Sequence, residues 1–530
     1  MKIYYIYDEA EHSRLNNAKK DYTPSYFPAL TAYMGVTAYP ISWDGAAQLS
    51  EEDILLVGSG KIKSLPRSRV IILGTEEMPS RSHKIFAHYE IKDASLPLFV
   101  PLAAPRSGGK TLAFAKDADK NSIPALVGDG RIFEFCFDLP ATVWFSGDGY
   151  YPEEKPSYFY IERTPDMRPL PDGESSALPF NDLLIGELEK ILTELGAPMI
   201  YKLMPKENKT APDAVIHFSG DDDCASLVFN LQATMAMESF GFPYHINAMP
   251  SNGKFVFDKA VLKEIYAHGG EIALHTNFIG QPYSQETIKA QAELFTENFG
   301  QLPQTNVNHC LIQGGSNAEM LRWFSSAGII ADNGKLGEFD KTNINKFDLC
   351  GFGYGTSFPR YTCDDAEHKN ELLNTMEIPL TYYEARLYTE DDDTSTVKNY
   401  LDGAVDGGRI TQFFFHPHYL HDNSNDREAT HRVLALIKSY TKSRGYDIHY
   451  SSTNRIASFW AARRDARLSS DDGKISVKCD TPLLLRLPKG SESASVLIDG
   501  KAEKTQSKRL YGEEILLVYV PAGAHTVTIC

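Results

Sequence analysis

Residues 214–226, AVIHFSGDDDCAS, place three consecutive carboxylates, Asp221, Asp222 and Asp223, behind an apolar run and a Ser-Gly turn. The apolar run reads as a short buried strand, and a helix-like run follows the acids. Three adjacent acids repel one another, and they are costly beside an apolar strand unless a cation or hydrogen-bond donors offset their charge. A metal ion is one such offset. A helix N-terminus is the other, because acidic groups in a first turn favour the macrodipole and cap free N–H groups. The triplet alone supports both readings equally.

Imidazoles and a further acid recur downstream at comparable points. Strand-like runs end at His275 (EIALHTN), His309 (TNVNHC), Asp332 (GIIADN) and His416 (TQFFFHPH), with helix-like runs between them. In a parallel β/α barrel the C-terminal ends of the strands converge on one mouth, where such folds place their chemistry. Three His and two acidic positions, each at the corresponding point of its own β-α unit, point to one shared site. Other His carry no such pattern. His217 lies inside the first strand and is expected in the core, and His418, in a polar loop just past His416, suits substrate contact and simple solvation equally.

The elements that must hold these residues follow from periodicity and punctuation. Between residues 211 and 468 the spacing predicts seven or eight β-α units, with strands near 214–218, 244–247, 271–274, 305–308, 329–331, 376–380, 410–415 and 447–450. The stretch 334–375 lacks a clean period and reads as a long loop over the mouth. Residues 1–145 alternate strand and helix signals, which predicts a parallel α/β domain, closed by a hairpin turning at Gly-Asp-Gly 128–130. Residues 146–210 read as a linker with one amphipathic helix, over 181–195; its tyrosines at 150, 151, 158 and 160 suit linker packing or a sugar-binding rim. Residues 469–530 change to short strands separated by Gly, Pro and Ser turns, the pattern of a small β-sandwich.

Composition narrows the partners. The chain is too long for one ordinary domain, and 42% hydrophobic with 23% charged residues is the balance of a soluble globular protein. A formal net charge of −17 argues against nucleic acid and anionic membranes, which are held mainly by Lys and Arg. No run approaches the ~20 apolar residues of a membrane span, and the N-terminus MKIYYIYDEAEH has no signal-peptide pattern. Seven scattered Cys without a CxxC pair suit a reducing compartment, so a cytoplasmic location is expected.

FSGDDD, LHTN and FFFHPH, in that order and each after a strand, resemble the motifs of the polysaccharide deacetylase superfamily over residues 214 to about 450. The resemblance implies a metal-dependent carbohydrate esterase on a distorted (β/α)7 barrel, here flanked by the N-terminal α/β domain and the C-terminal β-sandwich. It implies a divalent cation, with Zn2+ suited to imidazole and carboxylate ligands. It implies Asp223 and His275 as ligands, Asp221 or Asp222 as general base, and His416 as general acid. Two departures stand out: the family's second His falls on Ile279, and its Arg-Pro motif is replaced by Asn308-His309-Cys310. Either His309 supplies the third ligand, or the metal site is altered and His309 hydrogen-bonds substrate, with Asn277, Asn308, Asp332 and His418 as substrate-binding or supporting residues. The hairpin-closed N-terminal domain is similar to glutamine-amidotransferase-like domains that serve as non-catalytic scaffolds; Cys136 falls inside a predicted strand rather than on a sharp turn, so a structural role is expected.

Two other functions fit the same residues. A glycoside hydrolase on a related barrel would set two carboxylates, such as Asp222 and Asp332, across a glycosidic bond. A barrel that has lost catalysis would bind glycans with its flanking domains, and Ile279 is the residue that favours it.

Overall fold

Apolar runs and Ser, Asp and Gly punctuation build a mixed α/β structure in a computed structural model that describes residues 1–92, 94–150, 163–164, 170, 174–223, 226–337, 349–387, 393–491 and 494–530. The tyrosines at 151, 158 and 160 lie outside the described residues. No described helix is long and apolar enough to cross a membrane.

The site is carried by nine parallel strands: β1 (Ala214–Asp221), β2 (Tyr244–Ala248), β3 (Gly270–Thr276), β4 (Thr305–Asn308), β5 (Ala331–Asp332), β6 (Met376–Glu377), β7 (Tyr382–Tyr383), β8 (Ile410–Phe414) and β9 (Ile448–Ser451). Their order across the sheet is β6-β5-β4-β3-β2-β1-β8-β7, with β9 also on β1 and the short strand Leu349–Cys350 antiparallel to β7. All eight residues of β1 are buried, as befits a strand covered on both faces. Returning helices start on Ser226, Asp258, Ser284 and Ser316, whose side chains accept first-turn N–H groups. Two of these helices stop at Gly241 and Gly300 in the left-handed conformation that glycine adopts without strain. Short capped loops therefore keep each strand's C-terminal residue at the same rim.

The sheet curls without closing into a complete ladder. Residues 378–381 carry the chain from β6 to β7, and the bridge between Leu336 and Leu380 extends the β5–β6 pairing along that connection. The expected long loop over the mouth is different in its described part: Phe352, Tyr354, Phe358 and Tyr361 are buried. Arg360 of this segment pairs with Asp148 and Glu377, and the Cys363 thiol donates to the Ser25 carbonyl. The segment is a wedge between the N-terminal region and the barrel because its aromatic residues and its arginine find partners on both.

The N-terminal sheet has nine strands and is parallel only in part. Ile3–Ile6, Ala38–Ile41, Ile54–Val57, Arg69–Ile72 and Ile132–Phe135 run parallel, while the four strands between 87 and 128 pair antiparallel. The hairpin at residues 128–130 joins Ser122–Gly128 to Ile132–Phe135 as expected. Helix Phe180–Glu194 buries Leu184, Leu188 and Leu192 in one core that also takes in Leu56, Ile71, Val215, Ile410, Trp460 and Leu517. Residues from about 467 form two antiparallel sheets over a common apolar core of Ile475, Val477, Leu485, Val518 and Val527; Met199–Ile200 joins one of them.

Asp138 caps helix Leu139–Asp148, accepting from the Ala141 N–H at 2.7 Å and from the Thr23 and Ser59 hydroxyls at 2.8 and 2.5 Å. Burial pushes its carboxyl up to about 6 despite those donors. An acid whose folded pKa exceeds its unfolded value of about 3.9 contributes stability below that value and loses it as pH rises through the folded pKa. Asn caps equally well. Asp138→Asn is therefore expected to gain about 2–3 kcal/mol on the parent between pH 4 and pH 7.5, read from urea midpoints at both pH values. A flat difference would mean the carboxyl is not desolvated.

Candidate functional site

The ends of β1, β3, β4 and β8 bring Asp221, Asp223, His275, His309 and His416 together. Asp223 is the shared contact. Its Oδ1 lies 3.1 Å from His275 Nε2 and 3.7 Å from His309 Nε2, and its Oδ2 lies 3.3 Å from His416 Nε2. Asp221 Oδ2 is 3.7 Å from His275 Nε2, while its Oδ1 accepts from Asn247 at 2.7 Å.

The hydrogen bonds fix what each group can offer. The Val307 carbonyl only accepts, so His275 Nδ1, 2.8 Å away, carries a hydrogen. His275 Nε2 then faces two carboxylate oxygens, an arrangement that requires a positive charge at that nitrogen, as a proton or as a metal ion. Burial alone would depress the imidazole's pKa, but Asp221 and Asp223 raise it. Burial lowers His309 to about 4, helped by the charge of His275. His309 is thus neutral, with Nε2 toward Asp223 and a buried Nδ1 that has no hydrogen-bond partner among the described residues. Neutral imidazole is the metal-binding form.

Donor atoms of Asp223, His275 and His309 all lie within 4.8 Å of one another, as do those of Asp221, Asp223 and His416. One carboxylate and two imidazoles are a chemically apt set for Zn2+ or a similar ion. The residues present fit such a cation, and Asp223 belongs to both groups.

Asp222 goes elsewhere. Its Oδ1 accepts from the Ser226 N–H at 3.1 Å, at the start of helix Leu227–Phe240. Burial pushes its carboxyl up to about 7. The triplet thus divides the two readings of its charge: Asp221 and Asp223 face the imidazoles, and the middle acid faces a helix N-terminus.

The other candidates separate in the same way. His418 lies beside His416, ring centres 5.2 Å apart, with its pKa lowered to about 4 by burial and by His416. Asn277 shapes a loop, donating to the Pro250 carbonyl at 3.3 Å and accepting from the Ile279 N–H at 2.9 Å. Asn308 Nδ2 donates to the Ile312 carbonyl at 2.7 Å and so pins the backbone just after His309. Asp332 is buried among Glu377, Lys335 and the Gly334 N–H, and burial pushes it up to about 7. It is drawn there because Lys335 binds Glu377 at 2.8 Å and the carbonyls of Gly147 and Asp148 at 3.0 Å each, part of the ionic contact between barrel and N-terminal region. Asp222 and Asp332 therefore engage separate partners rather than facing one another. Ile279, where the family pattern has a His, is 56% exposed and makes no part of the cluster. His217 is in the core, paired with Thr453 at 3.0 Å, as expected.

Glu384 was not among the sequence candidates. Its buried carboxylate accepts from His416 Nδ1 and, at 3.3 Å, from the His416 N–H. It follows a strand of two residues, Tyr382–Tyr383, too short for any period to mark. The only sequence signal is an acid after an aromatic pair. Glu384 also adopts φ 49°, and Cys310 and Leu311, next to His309, adopt 58° and 55°. Non-glycine residues in that region persist where surrounding structure enforces them, commonly at functional sites.

No protein-family model matches the sequence, and no curated protein matches it. Solved structures with a similar chain course include a family 4 acetyl xylan esterase from Clostridium thermocellum in complex with a cobalt ion, at 13% identity and TM-score 0.26, covering 46% of this chain and 91% of that one. A family 4 carbohydrate esterase from Bacillus anthracis is 11% identical at TM-score 0.26, over 49% of this chain and 97% of that one. A peptidoglycan deacetylase from Bacillus subtilis is 8% identical at TM-score 0.24, over 48% and 93%. At these values the likeness carries no argument about activity, which must come from the site itself.

Proposed function

We propose that this protein is a metal-dependent hydrolase that removes an acetyl group from a carbohydrate. The observation that carries the reading is His275 Nε2 turned toward two carboxylates, with its Nδ1 hydrogen committed to Val307. Asp223, His275 and His309 would hold a divalent ion, Zn2+ being well suited. When bound, that ion supplies Lewis acidity, polarising the acyl carbonyl and favouring an ionised attacking water.

The chain's own groups supply the proton transfers. Asp221, with Oδ2 at the cluster and Oδ1 fixed by Asn247, is placed to take the proton of the attacking water. His416, oriented by Glu384, is placed to give a proton to the departing amine or alcohol. His418 and the loop held by Asn277 border the same mouth and would meet the sugar. The N-terminal domain is read as a scaffold, since burial pushes the Cys136 thiol up to about 12, far from a nucleophile's range.

The test is acetate release from O-acetylated xylan fragments and from N-acetylglucosamine oligomers, with elemental analysis of the purified protein. Near-stoichiometric divalent metal and chelator-sensitive release, restored by added Zn2+, are expected. Release that chelation leaves untouched would remove the proposal. Asp221, Asp223 and His416 form a second possible donor group, and His309→Ala against His416→Ala separates the two: His309→Ala is expected to lower metal content, and His416→Ala to spare it.

A further inference from the structure

A cavity of about 740 Å3 lies where the N-terminal sheet, helix Phe180–Glu194, the barrel and the C-terminal hairpin meet. That is the size of a small-molecule site. Residues 405–408, on its wall, lead into the N-terminal end of β8, whereas His416 lies beyond the other end. Five strand residues at about 3.3 Å each put roughly 15 Å or more between the cavity and the acid-base site.

Two features of the lining favour occupancy. Gly186 sits inside helix Phe180–Glu194, where glycine costs about 0.5–1 kcal/mol relative to Ala, and a side chain there would meet no atom within 4 Å. The helix gives up stability and keeps the cavity open. Tyr511 forms, with Gly512, the two-residue turn between strands Thr505–Leu510 and Glu513–Val520, at φ 48° and 84°. Such a turn prefers Asn or Asp at its first position. Instead an aromatic ring, 47% exposed, is fixed at the cavity by Arg409 Nε on its hydroxyl at 3.2 Å and by its own N–H on the Asp406 carbonyl at 2.9 Å.

Charge selects the ligand class. The lining holds five cationic and five acidic side chains, and two of its lysines pair with lining acids: Lys202 with Glu189 at 2.5 Å, Lys190 with Glu187 at 2.8 Å and with Glu513 at 3.0 Å. An anion would meet as many carboxylates as cations, whereas the hydroxyls of a neutral ligand, which both donate and accept, add no charge to this balance. An exposed tyrosine face packs on the apolar face of a pyranose ring.

We propose that this cavity is a second binding site, for a neutral saccharide of one or two rings, separate from the acid-base centre. The test is titration calorimetry of full-length Asp223→Ala protein, freed of metal by chelation, with cellobiose and xylobiose as neutral probes and glucose 6-phosphate as the anionic one. Because the metal-binding carboxylate is absent, the result does not depend on the deacetylase reading. Saturable binding of at least one neutral disaccharide is expected. Adding Gly186→Leu, which favours the helix but fills the space, is expected to abolish that binding. Tyr511→Asn is expected to weaken it about tenfold while the thermal midpoint holds or rises, which a purely structural tyrosine would not do. Failure of both neutral disaccharides to bind, binding of glucose 6-phosphate alone, or affinities unchanged in both variants would overturn the proposal.

Discussion

Asp223→Ala is expected to lower acetate release by about 10³-fold or more and to abolish stoichiometric metal binding. The magnitude follows from metal assistance being worth several kcal/mol, each 1.4 kcal/mol being tenfold. Among the described acidic residues, Asp223 is the one with an oxygen within 4 Å of His275, His309 and His416 together. Burial works against its ionisation, yet His275 and His416 hold its carboxyl well below the usual carboxylate range. It is therefore a permanent anion among three imidazoles, and no neighbour can replace it: Asp222 is turned toward Ser226, and Asp221 is tied to Asn247. Asp223→Asn keeps the shape and loses the charge, so it should share the defect in metal content. A chelator-induced fall in thermal midpoint should appear in the parent protein and be absent from both variants. Acetate release within threefold of the parent in Asp223→Ala would end the metal-centred account.

What sequence could reveal here was set by the length of each element. β1, β3 and β8 have five to eight residues and carry Asp221, His275 and His416 at or just past their ends, so periodicity located both the strands and the chemistry. His309 was found because it ends the strand-like run TNVNHC at the point where the other units carry their site residues. β7 has two residues, and Glu384 went unseen for that reason. Asp332 shared the pattern of the site residues, and only the partners at the other side of the fold distinguish it: Lys335 and Glu377 belong to an ionic contact with the helix that ends at Asp148. Likewise the 334–375 segment lacked a period because its aromatic residues are buried by two neighbours at once rather than along one face. The register of the triplet was equally beyond sequence, since adjacent residues with one side-chain chemistry differ only in which way the backbone turns them.

Glu384→Gln is expected to lower kcat by about 10²-fold with KM within about threefold, and to move the alkaline limb of the kcat profile toward lower pH. Positioned acid-base groups contribute about 10²–10⁴-fold, and an amide in place of an orienting carboxylate presents the wrong partner to a histidine N–H. Glu384 holds His416 at two points, the ring Nδ1 and the backbone N–H. Burial alone would depress the His416 pKa, but Glu384, followed by Asp223, raises it well above the ordinary value. The protonated ring is the form that can give a proton to a leaving group, so activity should persist up to the raised pKa and fall above it. Removing the Glu384 charge lowers that pKa, and the fall must then begin at a lower pH. Rate profiles of the parent and of Glu384→Gln over the same pH range, at saturating substrate, measure the shift directly. Glu384→Asp, which keeps the charge, should recover the position of the limb more fully than the rate, because a shorter side chain in the same left-handed turn restores electrostatics before it restores reach. An unmoved limb with kcat near the parent's would mean that His416 does not act as the acid, and that Glu384 serves only to hold the strand end in place.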